Sequence, residues 1–177
     1  DGCQMDHAPL FPTPDGGSTG RTEPRLTRWT IDMNDPDARV QCQQIDEFQS
    51  EFPQCDPRYA GRAYRHGWYT SPDGKVPSGM DDNGDFFNTI GHYDHETKAE
   101  DRYSCGQAMV SEALFVPRSE DSAEGEGYLL AVVTSLETRL SSLYIFDALN
   151  VSGGPLAKAH LSHRVPPGFH GTWRPGD

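Results

Sequence analysis

The sequence predicts an all-β protein whose short antiparallel strands are arranged like the blades of a β-propeller. Only 34% of the 177 residues are hydrophobic, and 18 glycines and 14 prolines are spread among them, which favours short strands joined by turns. No amphipathic helical pattern continues beyond about three turns. Three strand-like segments end in an aspartate before a turn, at Asp32, Asp94 and Asp147. This repetition indicates two to three blades, and a β-sandwich is the alternative that the pattern leaves open.

The first part of the chain is expected to form a loop-rich lead-in and one hairpin-like unit. Residues 1–24 are rich in proline and glycine, which is typical of loops. Further on, Thr27, Trp29 and Ile31 alternate with polar residues, a pattern typical of a half-buried strand. The strands predicted in this part cover residues 25–32 and 38–45, and residues 51–53 close the hairpin-like unit.

The remaining chain is expected to continue the same antiparallel pattern to residue 177. The segment 128–134 is almost wholly apolar, as expected of a strand that is buried on both faces. We assign residues 25–177 to blades of one propeller domain and to its closing tail. The strands predicted in this part cover residues 60–69, 86–93, 101–105, 112–117, 128–134, 142–146 and 157–163.

Charge and cysteine content exclude several functional classes. The net charge of −12 argues against binding to nucleic acid, whose phosphates require Lys and Arg. No apolar run approaches the roughly 20 residues that a membrane-spanning helix needs. The four cysteines have no CxxC spacing, so we expect neither a disulfide framework nor a thiolate zinc site. With no readable targeting segment, these features predict a cytoplasmic protein.

Two acidic or histidine-containing clusters resemble metal sites but do not fit one. Residues 81–85 (DDNGD) suggest a calcium loop, yet placing Gly84 at its sixth position puts Gly79 and Ile90 where carboxylates are required. His92 and His95 flank Asp94, but positions 92 and 95 of a strand point to opposite faces. We therefore expect a solvated turn at the first cluster and no metal at the second.

Other histidines and motifs carry weaker signals. His160 and His163 fail the same strand-geometry test, and His66 is expected to be an ordinary hydrogen-bonded or surface histidine. The sequence has no Gly-x-Ser-x-Gly elbow and no Gly-x-Gly-x-x-Gly loop, so neither serine catalysis nor dinucleotide binding is indicated.

The tail, residues 163–173 (HRVPPGFHGTW), presents one histidine on a stiff turn. Two prolines fix the backbone, and Gly168 and Gly171 bracket His170. Such a turn suits a metal-binding histidine, whose orientation must stay fixed. A surface turn without a metal would have the same sequence pattern.

Two glutamates are candidates to orient a metal-bound histidine. Glu51 and Glu112 each open an apolar segment, EFP and EALFVP. A carboxylate in such a setting must recover its desolvation cost through hydrogen bonds, and a ligating histidine usually donates its second N–H to a carboxylate. The alternative, that both glutamates are exposed residues at strand ends, stays open.

Six motifs follow one another along the chain: EFP at 51–53 with Asp56 and Arg58, YRHGW at 64–68, SEALFVPR at 111–118, GYLL at 127–130, IFDA at 145–148 and PPGFHGTW at 166–173. In this order they resemble the carotenoid cleavage oxygenase family from about residue 25 to the end. The family includes carotenoid and apocarotenoid dioxygenases, lignostilbene dioxygenases and the retinoid isomerase of the eye.

The resemblance implies a seven-bladed β-propeller that holds Fe(II) on its axis with four histidines. Members use O2 to split a carbon–carbon double bond of an apolar olefin into two carbonyl products. By this resemblance His170 is the last iron ligand, and Glu51 and Glu112 are glutamates that hydrogen-bond iron-ligating histidines.

The resemblance also implies that this chain corresponds to the C-terminal part of such an enzyme, roughly the last three blades. The other three iron ligands would lie upstream, and the setting of His7 does not match a ligand motif. We therefore expect the isolated chain to be inactive, and its missing half to be supplied in cis or by a separate chain. Unpaired strand edges make self-association a further expectation. The alternative function is a non-catalytic propeller piece with a role in binding or assembly.

Overall fold

The computed structural model describes residues 2–4, 24–74 and 87–174, and the regular structure in these ranges is almost entirely β. Two short 3-10 helices, Pro57–Tyr59 and Val151–Gly153, are the exceptions there. No helix within these ranges is long and apolar enough to cross a bilayer. The strands are β1 Gly2–Gln4, β2 Arg25–Thr30, β3 Gln41–Gln49, β4 Glu51–Cys55, β5 His66–Ser71, β6 Thr89–Asp94, β7 Glu100–Ser104, β8 Ala108–Val110, β9 Leu114–Pro117, β10 Gly127–Ser135, β11 Ser141–Asp147 and β12 Ala157–His160.

The all-β prediction is confirmed, and most predicted strands occur within a few residues of their expected positions. The exception is β8, which the sequence analysis did not predict. β1 also lies within the segment expected to be loop-like, although its neighbours at 5–23 lie outside the described residues. The acidic stretch 81–85 and His7 are outside them as well.

The chain divides into two compact units, residues 1–53 and 54–177. In the first unit, β2 pairs antiparallel with β1 and with β3, and the β2–β3 register shifts between Arg25 and Thr27. Leu26 and Thr27 are buried, whereas Trp29 and Ile31 are 52% and 56% exposed. The predicted burial of alternate side chains is therefore wrong beyond Thr27, although the pairing of β2 with β3 is regular from Thr27 to Thr30.

The second unit contains two antiparallel sheets in which most neighbouring strands are also neighbours in sequence. One has the order β4–β5–β6–β7. The boundary between the units falls within β4, so only Gln54 and Cys55 of that strand belong to the second unit. The other has the order β12–β11–β10–β8, with β9 also pairing with β10. Consecutive antiparallel strands of this kind are the construction of a propeller blade, because each blade is a single up-and-down sheet.

The two sheets of the second unit enclose one hydrophobic core. Trp68 on β5 is almost fully buried, and its ring stacks on Phe115 of β9 with the centroids 4.6 Å apart. The Trp68 Nε1–H donates to the carbonyl oxygen of Ala148 at 2.8 Å, so the one polar atom of the ring is satisfied. On β10, every second residue is buried, including Leu129 and Val133, while the residues between are only half-buried. The prediction that this strand is buried on both faces is thus confirmed for one face and wrong for the other, which is half-buried.

Three aspartates, at the end of a strand or just after it, stabilise the turns that follow. The side chain of Asp32 accepts a hydrogen bond from the N–H of Asn34 at 2.9 Å, and Asp147 accepts one from Leu149 at 3.0 Å. Asp94 accepts from Glu96 at 2.9 Å and also forms an ion pair with Arg65 at 2.7 Å. A carboxylate two positions before a backbone N–H replaces the missing ladder partner, which explains why aspartate recurs there.

Candidate metal centre

Glu112 lies on a β-bulge that separates β8 from β9. Val110 pairs with Val133 and Leu114 pairs with Leu130, so three residues on one side face two on β10. The extra residue breaks the strict alternation of side chains and redirects those within the bulge. The N–H of Ser111 donates to the carbonyl oxygen of Val132 at 2.9 Å, and the N–H of Val132 donates to the Ser111 hydroxyl at 3.0 Å, so the bulge stays attached to β10.

The side chain of Glu112 is buried, with only 4% of the residue exposed. The alternative of an exposed strand-end residue is therefore wrong for Glu112. Its strand begins later than predicted, at Leu114, because the bulge ends the pairing of residues 111–113.

The tail crosses the face of the sheet formed by β8, β10 and β11. The N–H of Val165 donates to the Ser141 hydroxyl at 2.8 Å, which anchors the tail where β11 begins. A Cβ added to Gly171 would lie 2.9 Å from a methyl carbon of Leu114, so glycine permits the close approach at this point. Between tail and sheet lies a groove of about 330 Å³, lined by apolar side chains that include Met109, Leu130, Val132, Leu143, Phe169 and Trp173.

His170 and Glu112 meet at one end of this groove. Nδ1 of His170 lies 3.1 Å from Oε1 of Glu112, and the N–H of Gly171 donates to Oε2 at 2.8 Å. The side-chain amide of Gln54, on β4, donates to Oε1 as well. Three donors from two distant segments therefore converge on one buried carboxylate.

This arrangement favours one tautomer of the His170 imidazole. Because the Glu112 oxygens accept hydrogen bonds from Gly171 and Gln54, the carboxylate serves as an acceptor, and the hydrogen shared with His170 is placed on Nδ1. A neutral imidazole with hydrogen on Nδ1 has its lone pair on Nε2, which is a common metal-binding atom. The side chain of His170 is 76% exposed, so the ring projects away from the carboxylate that holds it.

Glu51 opens β4 in the first unit and is half-buried. Its predicted role as a partner of another metal-bound histidine stays a prediction, since no histidine upstream of residue 66 lies within the described residues.

The histidines that were not expected to bind metal have other partners. His66 and His92 form a buried pair on β5 and β6, with Nδ1 of His66 3.0 Å from Nε2 of His92. Burial lowers the pKa of His92 to about 4 and also lowers the pKa of His66. His95 instead contacts the rings of Tyr64 and Tyr93.

Within the ranges that the structure describes, no group of three or more His, Cys, Asp or Glu side chains is arranged to hold a metal ion. A metal bound through His170 would therefore need further ligands from outside these residues.

Gln54 is the site residue that the sequence analysis missed. It follows the EFP motif directly, but nothing in one sequence indicates that an amide at position 54 reaches a carboxylate 58 positions later. The contact depends on the bulge at Glu112 and on the pairing of β4 with β5, which are features of the tertiary structure.

Comparisons with known proteins place this geometry in context. The family model described as retinal pigment epithelial membrane protein matches residues 1–175. Lignostilbene-α,β-dioxygenase isozyme III of Sphingomonas paucimobilis is 40% identical over 172 residues, which cover 93% of this chain and 35% of that protein. Isoeugenol monooxygenase of Pseudomonas nitroreducens is 35% identical over 86% of this chain and 32% of its own length.

Solved structures show the same fold. The lignostilbene dioxygenase of Pseudomonas brassicacearum superposes with a TM-score of 0.84 at 31% identity, covering 94% of this chain and 36% of that one. A mutant of the Synechocystis apocarotenoid oxygenase gives 0.80 at 26% identity, covering 97% and 35%. These oxygenases are β-propellers, which confirms the predicted fold class. The chain spans about a third of the length of the relatives it matches.

Proposed function

Since this chain belongs to the family of the retinal pigment epithelial membrane protein and the carotenoid cleavage oxygenases, we propose that it forms part of a non-haem Fe(II) dioxygenase. The reaction adds O2 across a carbon–carbon double bond, breaks that bond and places one oxygen atom on each of the two carbonyl products. The observation that carries the proposal is the hydrogen bond between Glu112 and Nδ1 of His170 at 3.1 Å. It presents Nε2 of a neutral imidazole, which is a donor that suits Fe(II).

In this proposal each residue has a defined role. His170 binds the iron through Nε2, and Glu112 holds the opposite edge of the ring in one tautomer and one orientation. The Gly171 N–H fixes the second carboxylate oxygen, so the tail and the glutamate position one another. Glu51 has the same role as Glu112 toward a second histidine.

Iron, when bound, would supply the activation of O2. The chain contributes one of four proposed histidines, and the others belong to the part of the enzyme that lies outside these residues. One imidazole does not retain Fe(II), so the 177-residue chain alone is expected to be iron-poor and inactive.

The proposed substrate is an olefin conjugated with a phenolic ring, of the stilbene or propenyl-phenol type. The relatives at 40% and 35% identity are named for lignostilbene and isoeugenol, and both compounds carry such a double bond. An apocarotenoid is the second choice, supported by the likeness to the Synechocystis apocarotenoid oxygenase at 26% identity.

The test uses a protein of family length that contains this chain, loaded with Fe(II) under anaerobic conditions. A hydroxylated stilbene, isoeugenol and an apocarotenal are each supplied with 18O2, and the products are identified by mass spectrometry. We expect two aldehydes from the stilbene, each carrying one labelled oxygen, and loss of iron and activity in His170→Ala.

The matched control is His163→Ala, because His163 is an exposed tail histidine whose backbone carbonyl accepts from the Ser141 N–H. The control should keep its iron and its activity. If His170→Ala also keeps both, the ligand assignment is wrong. A wild-type protein that binds iron but cleaves none of the three olefins would instead favour the non-catalytic alternative.

A further inference from the structure

We propose that Gln54 is a positioning residue that fixes the Glu112 carboxylate and, through it, the direction of His170. The expected effect on iron binding rests on the proposed function, whereas the positioning role rests on the contacts alone. Gln54, Glu112 and His170 all belong to the second unit.

The first argument is that one oxygen atom receives both contacts. Oε1 of Glu112 accepts from the Gln54 side-chain amide and lies 3.1 Å from Nδ1 of His170. Any rotation of the carboxylate about its last bond would break both contacts together. Gly171 restrains the other oxygen, Oε2, but it moves with the tail. Gln54 is therefore the restraint on Glu112 that comes from outside the tail.

The second argument is that Gln54 is placed by a well-defined stretch of backbone. β4 joins β5 in its sheet, and the carbonyl oxygen of Gln54 lies 3.7 Å from where a Cβ on Gly67 would sit. Two positions before Gln54, Phe52 has a φ of 54°. A non-glycine residue in this left-handed region is strained and persists only where the surrounding structure imposes it. Pro53 then restricts the chain that enters position 54.

The third argument is chemical. An amide can donate to a carboxylate without cancelling its charge, whereas Lys or Arg at position 54 would form an ion pair with Glu112. A paired carboxylate would attract the Nδ1 hydrogen of His170 less strongly. Glutamine therefore restrains the glutamate and preserves its effect on the imidazole.

The experiment compares Gln54→Met and Gln54→Glu with wild type in the family-length protein. Methionine keeps the length of the side chain without a donor, and glutamate replaces the donor by a second carboxylate. The first measurement is the tautomer of His170 in the iron-free protein, from 15N chemical shifts at one fixed pH. We expect the hydrogen to be on Nδ1 in wild type and distributed over both nitrogens in Gln54→Met.

The second measurement is the rate at which a chelator removes Fe(II). Loss of an outer partner typically weakens metal binding 10–100-fold, and we expect about tenfold faster release in Gln54→Met, the low end of that range, because Gly171 still holds Glu112. Gln54→Glu should release iron faster still. The control is Val133→Ala, which removes buried core volume from β10 without changing any polar side chain. It should lower stability without altering the tautomer or the iron release.

The outcomes separate this inference from the function it rests on. A wild-type protein that binds no iron, or a His170→Ala variant that retains it, overturns the proposed function. A wild-type tautomer in both Gln54 variants overturns the positioning role. The positioning role is also overturned if Val133→Ala, at an equal loss of stability, releases iron as fast as the Gln54 variants do.

Discussion

Oε1 of Glu112 and Nδ1 of His170 lie 3.1 Å apart, although the two residues are 58 positions apart in sequence. Two local structures bring them together. The bulge between β8 and β9 redirects Glu112, and the tail crosses the same sheet at Gly171, where the absence of a Cβ allows close contact with Leu114. The glutamate and the histidine are therefore held as one hydrogen-bonded pair.

Replacing Glu112 with Gln should weaken iron binding in the family-length protein about 10–100-fold. The amide keeps the size of the side chain, but it is a weaker acceptor for the Nδ1 hydrogen of His170 and brings a donor of its own. The affinity is measured by anaerobic Fe(II) titration. Glu126→Gln is the matched control, because Glu126 is partly exposed and its ion pair with Arg118 is a surface one at 3.4 Å. Equal affinities for the two variants would contradict the role of Glu112.

The sequence was sufficient to predict the all-β class and the positions of most strands, because both depend on local patterns. Aspartates at strand ends marked the turns correctly at Asp32, Asp94 and Asp147. The ordered motifs identified the family and thereby the roles proposed for His170 and Glu112.

The sequence was not sufficient where the geometry depends on pairing between distant strands. The bulge at Glu112 is defined only by the register of β8 and β9 against β10, so Glu112 was assigned to a regular strand. The exposure of Trp29 and Ile31 is likewise not revealed by their alternation with polar residues. Gln54 was missed for the same reason, since its partner is brought to it by the tertiary fold.

Arg58→Met should destabilise the second unit by about 3–5 kcal/mol. The guanidinium binds the fully buried carboxylate of Asp56 at 2.6 Å and donates to backbone carbonyls of the loop 119–123. Methionine would leave Asp56 as a buried charge without its partner and would release the loop. Hydrogen exchange of the loop amides, followed by mass spectrometry, measures the effect. Arg118→Met serves as control, because its exposed ion pair should contribute at most about 1 kcal/mol. Unchanged protection in the Arg58 variant would show that the loop is held by other contacts.

Gly127→Ala should destabilise the sheet by at least about 1–3 kcal/mol. A Cβ at this position would overlap the carbonyl oxygen of Val116 and lie 2.9 Å from the ring of Phe115. The carbonyl is part of the β9–β10 ladder, so relief requires a shift of backbone rather than of a side chain. Thermal unfolding measures the loss. Gly168→Ala is the comparison, since an added Cβ there meets nothing within 4 Å. If both variants unfold at the same temperature, the close packing at Gly127 does not limit stability.

The buried pair of His66 and His92 should make the β5–β6 region lose stability as the pH falls from about 6.5 to about 4. The pKa of a histidine in an unfolded chain is about 6.5, whereas burial lowers the pKa of His92 in the fold to about 4. Between these values the unfolded chain binds more protons than the folded one. The stabilisation is therefore complete above pH 6.5, and up to about 3 kcal/mol of it is lost by pH 4.

His66 adds to this loss, because burial lowers its pKa as well, and a proton on either ring would be opposed by the neighbouring histidine. Among the charged neighbours, Glu124, Asp94 and Asp101 oppose the shift, and Arg65 reinforces it. The measurement is hydrogen exchange of β5 and β6 amides at pH 7 and pH 4.5, corrected for the intrinsic effect of pH on exchange. His92→Gln keeps a side chain that can hydrogen-bond to His66 but removes one titrating group, so its stability should fall less over the same interval. An equal fall in the variant and in wild type would assign the pH dependence to other groups.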